Sequence, residues 1–582
     1  MTSRFQVWGG LGLTIALAAA GAGCRQPCPS GTGADSAASP WFVDVTKELG
    51  IDFVHDVGTR PLEERFMPQM VGSGAALFDF DNDGRLDLYL IQNSGPDGKA
   101  TNRLYRQNAD GRFVDVSKGS GLDITGYGMG VAIGDVNNDG WPDVLVTEYG
   151  RVRLFLNKGD GTFVDVTKEA GLDNPQWGTS AAFVDYDRDG WLDLVIVNYV
   201  EYVASRECTG RDGLRDYCGP SAFAGQVTKL YHNRGLVAGS GPHSVRFDDV
   251  TIAAGLGSAP GPGLGVICAD FNGDRWPDIL IANDGKPNHL WINQKNGTFK
   301  EEAVQRGVAY NAMGQAEANM GIAWGDIDGD GLMDLFVTHL TEEKHRLWKQ
   351  GPRGLFRDHT VAAGLTRPHW NATGFGTVLI DFDHDGALDL ALVNGGVKRS
   401  KDAKPDAATF AALGPFWGQY GDRNQVFGND GKGVFRDLSK QNESFCGTPA
   451  VGRGLAWGDI NGDGAIDLVV TNVAGPVRIF RNVAPNRGHW LLVRALDPAL
   501  KRDAYGAEIT VRAGERKWVG MVNPGSSYLC SNDPRAHFGL GSVSQVDALN
   551  VVWPDGVEEI FPGMTVDQAV VLRKGEGQRV GP

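Results

Sequence analysis

Seven times along the 582-residue chain an Asp opens the same nine-residue loop, Asp-x-Asp/Asn-x-Asp-Gly-x-x-Asp. The first three copies place acids or amides at Asp79, Asp81, Asp83, Asp87; at Asp135, Asn137, Asp139, Asp143; and at Asp185, Asp187, Asp189, Asp193. The other four use Asp270, Asn272, Asp274, Asp278; Asp326, Asp328, Asp330, Asp334; Asp381, Asp383, Asp385, Asp389; and Asp459, Asn461, Asp463, Asp467. Their openings are separated by 56, 50, 85, 56, 55 and 78 residues. A period near 50 residues limits the chain to an array of similar supersecondary units.

The flanks identify the unit. Each loop lies between apolar runs, such as Val131-Ala-Ile133 before the second loop and Val144-Leu-Val146 after it. Short β-branched runs bounded by turn residues read as buried strands. A third run follows as Leu154-Phe155-x-Asn157, Leu230-Tyr231-x-Asn233 or Leu290-Trp291-x-Asn293, and a fourth as Phe163-Val-Asp-Val-Thr167 or Phe247-Asp-Asp-Val-Thr251. Four short strands per repeat predict propeller blades. The fold class expected is all-β, a seven-bladed β-propeller over residues 41–485, with insertions in the two long gaps. A copy of the fourth run, Phe42 to Thr46, precedes the first loop and none follows the seventh. The N-terminal strand should therefore complete the last blade and remove the open sheet edges.

The loops also state a ligand. Carboxylates at positions 1, 3 and 5 converge in a tight loop, the position-6 glycine lets the backbone turn, and the position-9 carboxylate closes the shell. Crowded hard oxygens suit Ca²⁺, at up to seven sites. Acidic turns without metal are the competing reading. An EF-hand is excluded, because position 12 of the first loop is Leu90 and the flanks are strands. In the fourth loop Arg275 replaces the turn glycine, which predicts backbone strain, a positive charge close to the site and weak binding.

These repeats resemble the FG-GAP/VCBS family, whose seven-bladed propeller forms integrin α-chain heads. Beyond them come Gly488-His-Trp-Leu491, Arg502-Asp-Ala-Tyr-Gly506, Gly525-Ser-Ser-Tyr528, Phe538-Gly-Leu-Gly541 and Trp553-Pro-Asp-Gly556. That series resembles the ASPIC/UnbV domain found behind such propellers in cartilage-acidic-protein-like proteins, and it implies a small β domain over 486–575. On its own terms the segment alternates as β structure, with Ile509, Val511, Val519, Met521, Val551 and Val552 as apolar positions. In the first insertion, Cys208 and Cys218 lie ten apart, and the Cys-Gly-Pro ending resembles a feature of the family that implies a disulfide. Two unpaired thiols are the alternative, less suited to an oxidising compartment.

A formal charge of −16 argues against nucleic acid as a partner. The loops alone contribute 25 Asp, and seven divalent ions would bring the charge to −2. At the N-terminus Arg4 precedes an apolar stretch from Phe5 to Gly23 that ends Gly21-Ala-Gly-Cys24. It reads as a signal peptide over 1–23, with Cys24 resembling a bacterial lipoprotein acylation site, although Gly21 stands where that motif usually has Leu. A signal-anchor helix is the alternative. Residues 24–40 are a Pro/Gly/Ser-rich tether. The expectation is an exported bacterial lipoprotein facing the periplasm or cell exterior and held to the membrane through its lipid alone.

No zinc-protease helix, nucleophile elbow or phosphate loop is present, and a carboxylate committed to Ca²⁺ is not free as a general acid. Recognition is expected in the insertions, 199–229 and 395–423. Phe416, Trp417 and Tyr420 either stack on a ligand or pin their insertion to the scaffold. The reading favoured is a binding or adhesion module for a protein or carbohydrate ligand. The alternative is a polysaccharide-active enzyme or an accessory factor in a biosynthetic pathway.

Overall fold

The computed structural model describes residues 39–210, 212–237, 244–399 and 407–580. The expected signal peptide, Cys24 and most of the expected tether lie outside the described residues, and no described helix is long and apolar enough to cross a membrane.

Seven four-stranded antiparallel sheets follow one another. The second is typical, with Gly128–Gly134, Asp143–Glu148, Arg151–Asn157 and Phe163–Asp165 pairing in chain order. Each Asp loop joins the first strand of a sheet to the second, and its ninth residue opens the second strand, as Gly134↔Asp143 shows. The first strands are buried, except for the partly buried Trp324 and Trp457, because neighbouring sheets cover both faces. The seventh sheet is completed by Phe42–Asp44, which pairs with Arg478–Asn482 through Phe42↔Asn482. The first and last sheets thus share one closed arrangement, as the phase of the repeats implies.

A second device ties sheet to sheet. The side-chain amides of Asn157, Asn233 and Asn293 donate to the carbonyls of Phe80, Val136 and Tyr186, the second loop residue of the preceding sheet. Gln350, Asn429 and Asn482 do the same to Phe271, Ile327 and Phe382. Gln107 of the first sheet reaches Ile460 of the seventh. Seven equivalent bonds make a circuit.

Both long gaps lie between the second and third strands of a sheet. The first insertion carries a small hairpin, Cys208–Thr209 with Arg215–Asp216, and a Cys208–Cys218 disulfide. The second carries the helix Ala407–Trp417, kinked at Gly414. They meet each other: the Arg399 amide and the Tyr420 hydroxyl both donate to the buried Asp216 carboxylate, at 3.0 and 2.8 Å.

After the ring the chain forms two further sheets. One contains His489–Asp497 between Arg502–Asp503 and Ala536–Gly541, with Gln568–Arg573 added in parallel. The other orders Arg516–Met521, Glu508–Ala513, Gln545–Val552, Glu558–Thr565 and Gln578–Arg579. Ile509, Val511 and Val551 fill the core between them with Leu491, Phe538 and Trp553. Met521 instead packs, with Trp324, against the core shared by the fourth and fifth propeller sheets.

The segment from Asn523 to Asp533 leaves this domain and enters the axis of the ring. Ser527 exchanges backbone hydrogen bonds with Ile322, and Ser531 with Ala75 and Leu77. Tyr528 and Leu529 are fully buried among Met129, Trp177, Leu264, Met320 and Phe375, residues from five sheets. From elsewhere in the chain, Met67, Met70 and Val71 join the same cluster. The buried Arg453 completes the plug by donating to the carbonyls of Met70, Gly395, Gly396 and Gly452 over the Phe375 ring.

Candidate metal centres

The loop backbone explains why the spacing is fixed. Position 6 is left-handed in every copy, from Gly84 (φ 89°) to Gly464 (φ 84°), and Arg275 is forced into the same conformation at φ 71°. Position 4 is left-handed too, at Asn82, Asn138, Arg188, Gly273, Gly329, His384 and Gly462. Sequence reasoning missed that second turn; the signal was the run of Asn and Gly at position 4. These turns aim backbone N–H groups inward. The position-1 carboxylate accepts from positions 5 and 6, as Asp83 and Gly84 donate to Asp79 at 3.0 and 2.9 Å.

The position-9 carboxylate has a second task in all seven copies. Asp143 accepts from the backbone N–H of Val136 at 2.9 Å and of Asn157 at 2.8 Å, fastening the loop to the third strand. Asp87, Asp193, Asp278, Asp334, Asp389 and Asp467 repeat both bonds. Burial pushes these acids up, Asp87 and Asp278 to about 8 and Asp193 and Asp334 to about 7. Asp143, Asp389 and Asp467 are raised in the same direction for the same cause. A nearby cation would offset that cost.

The donor sets fit Ca²⁺ best in the first and sixth loops. Asp79, Asp81 and Asp87 bring oxygens within 4.8 Å of one another, as do Asp381, Asp383 and Asp385. Among the described residues Asp81 Oδ1 and Asp383 Oδ1 are buried without a hydrogen-bond partner, as are Asp185 Oδ1 of the third loop and Asp328 Oδ1 of the fifth, where His232 and Lys349 intrude. Such orphaned acceptors are what a cation would satisfy. In the second and fourth loops the position-3 amide of Asn137 or Asn272 donates to the position-5 carboxylate, leaving three acids rather than four. The seventh loop has the same composition, with Asn461 between Asp459 and Asp463. In the fifth loop Asp326, Asp328 and Asp334 cluster, yet Lys349 places its ammonium against both Asp328 and Asp330. That internal cation competes for the site. The third loop is flanked by His232, 3.0 Å from Asp193 and 3.4 Å from Asp187.

Arg275 departs from expectation. Its backbone is left-handed, but the guanidinium turns away from its own loop, 2.6 Å from Glu558 and 3.0 Å from the carbonyl of Gly556. A cation closer to the fourth loop is Arg353, 3.7 Å from Asp270 and 3.0 Å from Glu508.

The C-terminal domain covers the loop face. Arg502, almost entirely buried, bonds Asn138 Oδ1 of the second loop at 2.9 Å and Gly190 O of the third at 3.1 Å. Lys517 donates to Asp330 O of the fifth loop and the Gly541 N–H to His384 O of the sixth, both at 2.9 Å. His537 lies 3.0 Å from Gly464 O of the seventh. Candidate metal loops and interdomain contact are one surface.

The aromatic candidates of the second insertion lie elsewhere. Trp417 and Tyr420 are buried in the axial cluster, 7% and 1% exposed, and offer no face to a ligand. Phe416 is half-buried beneath the Arg65 guanidinium, 4.4 Å from its ring centre. The pinning role accounts for all three.

Comparison with known proteins agrees with the architecture. The ASPIC and UnbV family model matches residues 497–579, and the FG-GAP-like repeat model matches 79–146, 135–196 and 270–337. Cartilage acidic protein 1 of Mus musculus is 26% identical over 397 residues, covering 58% of this chain and 58% of that protein. The Homo sapiens protein of that name is 28% identical over 315 residues, covering 53% and 43%. The chain spans about half the length of the curated relatives it matches. Among solved structures, an Agrocybe aegerita lectin that recognises non-reducing terminal N-acetylglucosamine overlays with TM-score 0.36 at 14% identity, covering 70% of this chain and 86% of that one. A likeness of that size carries no further argument. Repeats and terminal domain together make this chain a protein of FG-GAP-like repeats closed by an ASPIC and UnbV domain.

Proposed function

We propose that the protein is an exported, calcium-stabilised binding module in which Ca²⁺ cements the C-terminal domain onto the propeller. One observation carries the reading: among the described residues four loops hold a buried carboxylate oxygen without a partner, at Asp81, Asp185, Asp328 and Asp383, and the C-terminal domain hydrogen-bonds three of them, the third, fifth and sixth. Repelling acids would loosen that face, and a bound cation would stiffen it. With the loop face covered, the opposite face and its paired insertions are left for a protein or glycan partner. Anchoring through an acylated Cys24 belongs to the same proposal and follows from the sequence of the leader.

The test is a melting curve of the full chain with Ca²⁺, with Mg²⁺ and after chelation. Ca²⁺ should raise the midpoint and Mg²⁺ should restore little of it. Indifference to chelator would leave only acidic turns. A glycan array and a surface-protein pull-down on calcium-loaded protein address the ligand, and fractionation of a Cys24→Ala variant addresses the anchor.

A second reading, an enzyme or accessory factor, has one observation in its favour. A cavity of about 240 Å³ opens between the first two loops and the C-terminal domain, lined by Arg494, Arg502, Arg535, Asp79 and Asp135. Arg494 and Arg535 are each committed to a carboxylate of their own domain, Asp503 and Asp533, which favours docking over catalysis.

A further inference from the structure

The third sheet carries an unusual residue beside its loop. The residue before the third-strand amide is Arg106, Leu156, His232, Ile292, Lys349, Gly428 or Arg481 around the ring. Only the third sheet puts an imidazole there. The ring is held edge-on to Tyr186, its centre 5.9 Å away, and His232 itself is 7% exposed. Its Nδ1 points into the loop, 3.0 Å from Asp193 Oδ1 and 3.4 Å from Asp187 Oδ2. Asp187, Asp193 and His232 form one group of donors within 4.8 Å, and Asp185, Asp187 and Asp189 form another that shares Asp187. An independent observation marks the centre as unfinished: Asp185 is 6% exposed, and its Oδ1 is buried with no hydrogen-bond partner.

We propose that the third loop is a mixed nitrogen–oxygen site for a divalent transition metal such as Zn²⁺, Mn²⁺ or Co²⁺, with His232 Nδ1, Asp187, Asp193 and Asp185 as its ligands. This rests on reading the loops as cation sites and changes the identity of the cation at one of them. Ca²⁺ takes oxygen donors, whereas imidazole suits borderline metals. The spacing of His232 from Asp193 and Asp187 is compatible with such an ion, because a tetrahedral shell with bonds of about 2.0–2.1 Å separates neighbouring donors by about 3.3 Å. Nδ1 faces two carboxylate oxygens and so carries its hydrogen toward them. On binding, the metal replaces the Nδ1 hydrogen: an imidazolium releases that proton to solvent and a neutral ring carries it on Nε2 instead, so the ligand is neutral imidazole either way. The carboxylates bind the metal in their ionised form.

The experiment uses the full chain, freed of metal and refilled with Ca²⁺ at about 1 mM, then titrated with Co²⁺. Wild type should take one equivalent of Co²⁺ and show visible absorption with nitrogen coordination. His232→Leu, which copies Leu156 of the second sheet, should weaken Co²⁺ binding about tenfold or more while the Ca²⁺ stoichiometry of the other loops is unchanged. His232→Gln serves the same purpose if the Leu variant fails to fold. Displacement of all Co²⁺ by Ca²⁺ in wild type, or unweakened Co²⁺ binding in a folded variant, overturns the proposal. Should no loop take Ca²⁺ while Co²⁺ is still held through His232, the calcium reading falls and this one stands.

Discussion

The side-chain amide of Gln107 donates to the backbone carbonyl of Ile460 at 2.9 Å, across 353 residues of chain. It closes the circuit of seven amide bonds that joins each sheet to the one before. Gln107→Ala should cost about 1–3 kcal/mol, because the buried carbonyl of Ile460 is left without a donor. Gln350→Ala should cost less, since its bond to Phe271 is already stretched to 3.4 Å. Urea denaturation of both variants in Ca²⁺ gives the comparison, and equal losses would show that the circuit is not what the amides contribute.

Calcium-free protein should respond to pH in the opposite sense from most acid-sensitive proteins. The position-9 acids have folded values raised above their ordinary 3.8 by burial, to about 7 for Asp193 and Asp334 and about 8 for Asp87 and Asp278. A raised folded value means the native state holds the proton more tightly than the unfolded chain. The stabilisation is complete below about pH 4 and is lost as pH rises through 7 and 8. Without Ca²⁺ the melting temperature should therefore climb as pH falls from 8 toward 5. With Ca²⁺ the cation takes the place of those protons and the climb should vanish. Parallel curves in the two buffers would refute the account.

Lys349 should act as a resident substitute for metal. Its ammonium contacts Asp328 and Asp330, and the side chain is mostly buried. Lys349→Met should destabilise calcium-free protein by about 1–3 kcal/mol. Much of that should return at about 1 mM Ca²⁺, where a site with Kd near 10⁻⁴ M gains roughly 1.4 kcal/mol. Calorimetry should find the fifth loop binding Ca²⁺ more tightly than in wild type. A variant equally impaired in both buffers would mean that the lysine serves packing alone.

Tyr528 is one of the residues by which the C-terminal domain holds the ring. It is fully buried, packed against Phe375 with ring centres 4.9 Å apart. Tyr528→Ala should cost about 3–5 kcal/mol, as for other large aromatic truncations. Limited proteolysis should then cut between residues 482 and 489 before the propeller itself is digested. Unchanged protection of that junction would place the docking energy in the Arg502 and Lys517 contacts instead.

The sequence is legible where an interaction is local. A nine-residue loop contains its own geometry, so Asp79 to Asp87 can be read directly, and the Phe42 motif betrays its missing sheet by being out of phase. The third-strand amides were visible as Leu-aromatic-x-Asn, but their partners belong to another sheet, and no spacing reveals a contact such as Asn482 with Phe382. Docking was hidden for the same reason. In the sequence Gly525-Ser-Ser-Tyr528 is one motif of the terminal domain, and only the ring supplies the pocket that Tyr528 fills. Arg275 looked like a flaw in its loop because Glu558, its partner, is 283 residues away.

The pairing of Phe42 with Asn482 also fixes when the protein can become itself. The strand that completes the seventh sheet is made before everything else in the ring, and it must wait for the last repeat to emerge. Contacts this distant in sequence form slowly and leave intermediates with unpaired strand edges. The axial plug arrives later still, from residues 523–533. Until the last repeat emerges Phe42 is an unclaimed strand in search of an edge, and two chains side by side could trade theirs. A ring that shields its edges so completely when finished is most vulnerable to its own copies while it is being made.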